Sequence, residues 1–166
     1  MNEINWTEKF TPGETDNFVS NEVIIKDLSF EKVWEYLSDT SYWEKYYKNS
    51  SDIHMYNQES SVLNEETRFR FKTFGFDVEA QIEEFDKKND IARLSWHGWN
   101  EETGDDFLDV YHAWLIEKLP KNRIRILTQE SQIGVPAKAM ANETPNPMMN
   151  GHQAWLDGLV AYTKAH

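Results

Sequence analysis

Five histidines and no cysteine bound the chemistry open to this chain of 166 residues. Without thiols there is no disulfide, no thiolate metal site and no thiol nucleophile, so imidazole and carboxylate must do any acid-base work. His152 falls on an apolar helical stripe, one turn from Met148 and Trp155. A neutral imidazole there could bond a ligand carbonyl or take a proton; the plainer reading is a core histidine bonded to a backbone carbonyl or a Glu. His112, in VYHAW, shares strand parity with Val110, Trp114 and Ile116, and Glu130, in LTQES, shares it with Ile124, Ile126 and Thr128. If both faces point inward, a carboxylate and an imidazole meet in one apolar cavity and burial moves both titrations. The opposite parity would put both in water, and the His112 strand, apolar on both faces, fixes that parity weakly. His112, Glu130 and His152 are therefore the candidate catalytic or ligand-fixing groups.

The remaining histidines add no motif. No pair, His54 and His97 included, has the H-x-x-x-H or HExxH spacing that sets two imidazoles on one helical face, so no metal site and no cofactor are expected. Glycine-rich phosphate loops and a G-x-S-x-G elbow are also missing, which removes nucleotide and serine-hydrolase chemistry. Aromatic residues are abundant, with 7 Trp, 7 Tyr and 9 Phe. Phe76, Trp96, Tyr111, Trp114 and Trp155 could line a cavity for a flat apolar ligand, although such rings also serve as plain core. The acidic residues Asp77, Glu79, Glu83 and Glu84 read as a solvated sheet face.

Positioning these groups falls to elements that the patterning predicts. Residues 1–17 are polar, contain Pro12-Gly13 and read as a tail or surface arm; a single domain occupies 18–166. Residues 18–26 are rich in β-branched side chains and predict a strand. Ser29 then caps a short helix with Phe30, Val33, Trp34 and Leu37 at helical spacing. Ser41 and Glu44 have the spacing of a capping box for a second short helix, 42–48. From Ile53 the period is two, predicting strands over 53–57, 67–73, 74–83, 91–99, 107–119 and 123–133 with turns between, an antiparallel meander. Residues 134–147 hold three prolines and no period, a loop. Asn146-Pro147 opens the longest helix, to about Lys164, with a broad apolar face.

Charge and length narrow the partners. Twenty-nine acidic residues against seventeen Lys and Arg give a net charge of -12, which repels nucleic acid and anionic lipid. No apolar run approaches a membrane span, and the opening MNEINWTEKF lacks the order of a signal peptide, so a cytoplasmic location is expected.

This order of strand, two short helices, antiparallel meander and terminal helix resembles the helix-grip fold of the START-like (SRPBCC) superfamily. The likeness is carried by SFEKVWEYLSDTSYWEKYY, IARLSWHGW, RIRILTQESQIG and GHQAWLDGLVAY. It implies an α+β fold in which a curved antiparallel sheet of six or seven strands wraps the terminal helix and leaves a cavity between them. The superfamily includes polyketide cyclases, the birch-pollen-allergen group and activators of the heat-shock-protein-90 ATPase. The expectation it supports first is binding of a small hydrophobic or aromatic molecule. A cyclase or aromatase using a cavity His or Glu and a protein-binding module like the chaperone activators are the alternatives, and homodimer formation is left open.

Overall fold

A computed structural model describes residues 1–166. The β-branched run forms β1 (Asn17–Lys26). Behind it the Ser29 hydroxyl accepts a hydrogen bond from the Lys32 N–H at 3.2 Å and caps α1 (Phe30–Ser38), which buries Phe30, Val33, Trp34 and Leu37 as their spacing predicts. The second helix departs from expectation. Asp39 rather than Ser41 organises the corner: its carboxylate accepts from the Ser41 N–H and from the Ser41 and Ser61 hydroxyls. An acidic side chain that bonds the backbone two residues on competes with the capping box. A 3₁₀ turn therefore leads into a single helical turn, α2 (Trp43–Tyr46), instead of a helix over 42–48.

The meander supplies β2 (Ser51–Met55), β3 (Arg68–Thr73), β4 (Phe76–Lys87), β5 (Ile91–Trp99), β6 (Asp109–Leu119) and β7 (Arg123–Ile133). With β1 they form one curved antiparallel sheet in the order β1-β7-β6-β5-β4-β3-β2. The hairpin between β3 and β4 turns at Phe74-Gly75, both at positive φ, so the strand expected from residue 74 starts at Phe76. β4 then continues to Lys87 through a register shift between Ile82 and Glu84, where the alternation of acidic residues breaks. The predicted loop 134–147 contains α3 (Val135–Ala141), which buries Ala137 and Met140. Seven residues with a proline in the first turn are too few to show a period. The Asn146 side chain accepts from the Met148 N–H at 3.0 Å and starts α4 (Pro147–Ala165), which packs against β1, β7, α1 and α2.

Two faces of the sheet are covered, by different parts of the chain. Inside, Trp43, Trp96, Trp114 and Trp155 are fully buried between the sheet and α4. α4 approaches α2 closely because position 158 carries no side chain: a Cβ there would lie 2.2 Å from the Tyr46 carbonyl oxygen. Outside, residues 1–16 lie across β5 to β7. Phe10 packs on Tyr111 and Ala113, the Asn2 amide donates to Glu117 at 2.7 Å, and Lys9 pairs with Asp109. That cover is why β6 is apolar on both faces. Glu79, expected in water with its acidic neighbours, is buried instead, accepting from the Tyr56 hydroxyl at 2.7 Å and paired with Arg68. No helix is long and apolar enough to cross a membrane.

Candidate functional site

Sheet register alone puts two of the three candidates together. His112 on β6 is the direct cross-strand partner of Glu130 on β7 and of Trp96 on β5, so the three side chains form a row on the inner face. The apolar stripe of α4 lays His152 on that row. Its ring stacks on His112 with centroids 4.3 Å apart and planes 12° from parallel. Glu130 Oε1 lies 3.2 Å from His112 Nδ1 and 3.8 Å from His152 Nε2, and all three residues are buried.

The surrounding hydrogen bonds fix the orientation of the cluster. The Thr128 hydroxyl lies 3.2 Å from the Ala113 carbonyl, where it can only donate, and 2.7 Å from His112 Nε2. Both bonds are made when His112 carries its proton on Nε2, which leaves the Nδ1 lone pair facing Glu130. Gln132 donates to the other Glu130 oxygen, accepts from Asn17 at 2.8 Å, and is linked through Asn17 to Asn146 at 2.8 Å, the cap of α4. A polar chain thus connects Glu130 with the start of the helix that delivers His152. Burial raises the Glu130 carboxyl to about 8, against a smaller downward pull from Gln132. Burial, with His152 alongside, holds His112 well below the usual histidine range, and burial takes His152 down to about 3. Both imidazoles are neutral, and Glu130 has no Arg or Lys against it. His152 is the unsatisfied member: Nδ1 is buried without a partner and Nε2 has only the distant Glu130 oxygen.

This cluster forms one wall of a small interior hollow of about 30 Å³. The rest of the lining is mostly apolar and includes Phe71, Phe74, Phe76, Val78, Trp96 and Trp155, with Thr73 and Gln132 as further polar groups. The space is that of a water molecule or two. A much larger groove of about 640 Å³ runs over the surface past Asp52, Arg70, Lys72 and Glu101, but its buried acid, Glu79, is already paired.

Of the residues singled out from sequence, His112, Glu130, His152, Phe76, Trp96 and Trp155 converge here. Trp114 lies one layer deeper, its ring 5.2 Å from that of Trp155, and does not line the hollow. Tyr111 is a correction. It sits on the outer face, bonded to the Ser95 hydroxyl at 2.8 Å and packed on Phe10. Adjacent residues of a strand point to opposite faces, so Tyr111 and His112 cannot line one cavity. Gln132 and Phe74 also line the hollow without standing out in the sequence; the signals for them are that Gln132 lies two residues from Glu130, hence on the same face, and that Phe74 sits in a tight turn after a strand.

The geometry defines a helix-grip protein with a polar cluster set into an otherwise apolar interior. Solved structures show the same fold: the di-domain ARO/CYC StfQ of the steffimycin biosynthetic pathway (TM-score 0.62, 10% identity, 90% of this chain and 52% of that one) and Ara h 8.0201 (TM-score 0.62, 10% identity, 90% of this chain and 100% of that one). Far nearer is the hypothetical protein jhp0584 of Helicobacter pylori, 66% identical over 98% of this chain and 97% of that one, with a TM-score of 0.97. The chain belongs to the same family as that protein. No protein-family model and no curated protein matches it.

Proposed function

We propose that this protein binds a small, largely apolar molecule between the sheet and α4, with Glu130, His112 and His152 holding its polar end. One observation carries the reading: a buried His152 with an unpaired ring nitrogen faces an apolar hollow beside a carboxyl that burial favours as neutral. An unpaired buried donor or acceptor costs about 1–3 kcal/mol, which a ligand carbonyl or hydroxyl would recover. The fold supports the same place, since a curved sheet and a straight helix cannot touch along their full lengths and the hollow beside the cluster lies between them. Size sets the condition. At about 30 Å³ the hollow is far below the roughly 300–1,000 Å³ of drug-sized sites, so a ring-sized guest enters only as Phe74 and its turn move outward.

Titration of chelator-treated protein with flat aromatic ketones and medium-chain fatty acids, followed by tryptophan fluorescence, tests this. Saturable binding is expected, at least tenfold weaker in His152→Ala, with a small change in melting temperature. No binding to any probe, or equal affinity with a large fall in melting temperature, contradicts it.

A further inference from the structure

Glu130, His112 and His152 come from three different elements, and their free ligand atoms all lie within 4.8 Å of one another. We propose that they form a binding site for one divalent first-row transition metal ion, of the zinc or iron(II) kind, open on its fourth side toward the hollow. This stands whether or not an organic guest binds.

Geometry comes first. Nitrogen and oxygen ligands at about 2.0–2.1 Å around a tetrahedral ion lie roughly 3.4 Å apart. The Glu130 oxygen is 3.2 Å from His112 Nδ1 and 3.8 Å from His152 Nε2, and the two nitrogens lie within 4.8 Å of each other. An imidazole holds an ion in its own plane and the two rings stack 12° from parallel, so binding requires the His152 ring, which makes no hydrogen bond, to turn about its side-chain bonds. The atoms also have the right chemistry. Thr128 holds the His112 proton on Nε2 and leaves Nδ1 free, as an outer-shell partner does for a ligating imidazole. Gln132 occupies the second Glu130 oxygen and leaves Oε1 to the ion. Two imidazoles and one carboxylate suit zinc and iron(II) better than magnesium or calcium, which favour all-oxygen sites.

Two further facts point to a cation. Glu130 is buried with neither Arg nor Lys in reach, and its only charge-capable partners are the two imidazoles. His152 is 2% exposed and its side chain makes no hydrogen bond; coordination would give Nε2 a partner, while the buried Nδ1 would still lack one. The hollow has room for a water as fourth ligand. Three protein ligands and one exchangeable position are the form of a reactive site, not of a structural one.

The test is calorimetric titration of chelator-treated protein with zinc chloride, with thermal melts alongside. One equivalent should bind, the melting temperature should rise with zinc concentration, and affinity should fall at least tenfold in His112→Gln, His152→Gln and Glu130→Gln. Absence of saturable binding, or unchanged affinity in all three variants, overturns the proposal. If the variants do not fold, histidine-selective ¹⁵N NMR of the unaltered protein decides. With one equivalent of zinc, His112 Nδ1 and His152 Nε2 should shift; changes confined to His54, His97 and His166 would overturn the site. Organic probes are titrated without metal, so failure of one proposal is distinguishable from failure of the other.

Discussion

Phe74 stands directly on Gly151: a Cβ at position 151 would lie 2.1 Å from the tip of the Phe74 ring. The ring belongs to the turn between β3 and β4, has φ +52, and is tied down through its N–H to the Asn49 side chain at 2.7 Å. It shuts the hollow beside His152, from which its ring centroid is 6.1 Å away.

Gly151→Ala should therefore displace the ring and destabilise the fold by about 1–3 kcal/mol, the usual range for overpacking. In a Phe74→Ala background the same change should cost nothing or add up to about 1 kcal/mol, because alanine is the better helix former. Urea denaturation of the four members of this cycle measures the coupling. Equal effects of Gly151→Ala in both backgrounds would show that the two positions do not touch.

Gly158→Ala meets backbone instead of a ring. The added methyl would lie 2.2 Å from the Tyr46 carbonyl oxygen, which cannot swing aside without moving α2. We predict a larger loss than at Gly151, more than about 3 kcal/mol, with no rescue by truncating Phe74. A melting temperature within a degree or two of the unaltered protein would contradict this.

The elements were legible where a period ran long enough to be seen. Alternation in Ile91–Trp99 and the apolar stripe of α4 gave a strand face and a helix face, and through them Trp96 and His152, whereas the parity of Glu130 stayed open with that of His112. The parity of His112 was undecided from sequence because both faces of β6 are apolar, and only the cover by residues 1–16 explains why. Spacing rules for metal ligands inspect one helix at a time. They had no reach to a cluster assembled from β6, β7 and α4. Tyr111 was misplaced for the opposite reason, since its ring chemistry was weighed without its parity.

Tyr111→Phe then separates the two faces. Loss of the hydroxyl bonded to Ser95 should cost about 0.5–1.5 kcal/mol of stability and leave ligand affinity unchanged. Reduced affinity at unchanged stability would mean that the outer face belongs to the site.

Acid stability tests the clasp formed by residues 1–16. Burial alone would raise the Asp109 carboxyl, but hydrogen bonds from His97, at 2.5 Å, and from Lys9 outweigh it and hold it below the usual aspartate value. The unfolded chain therefore binds this proton at higher pH than the folded one. The contribution is complete above about pH 4 and is lost as pH falls through the lowered folded value. Asp109→Asn should be less stable at pH 6 and lose less stability between pH 5 and pH 3, as read by chemical denaturation. Parallel stability curves for the two proteins would rule this out.

The central claim is one of place: the guest sits between α4 and the inner sheet face, against Glu130 and the two imidazoles. Amide and indole chemical-shift mapping by ¹H–¹⁵N NMR, with the tightest probe from the fluorescence titration, tests it most directly. The indole signals of Trp96 and Trp155 and the amides of Phe74, His112 and Glu130 should move together and saturate at one equivalent. Shifts confined to the polar surface groove at Asp52, Arg70 and Glu101, with both indoles unmoved, would contradict the account.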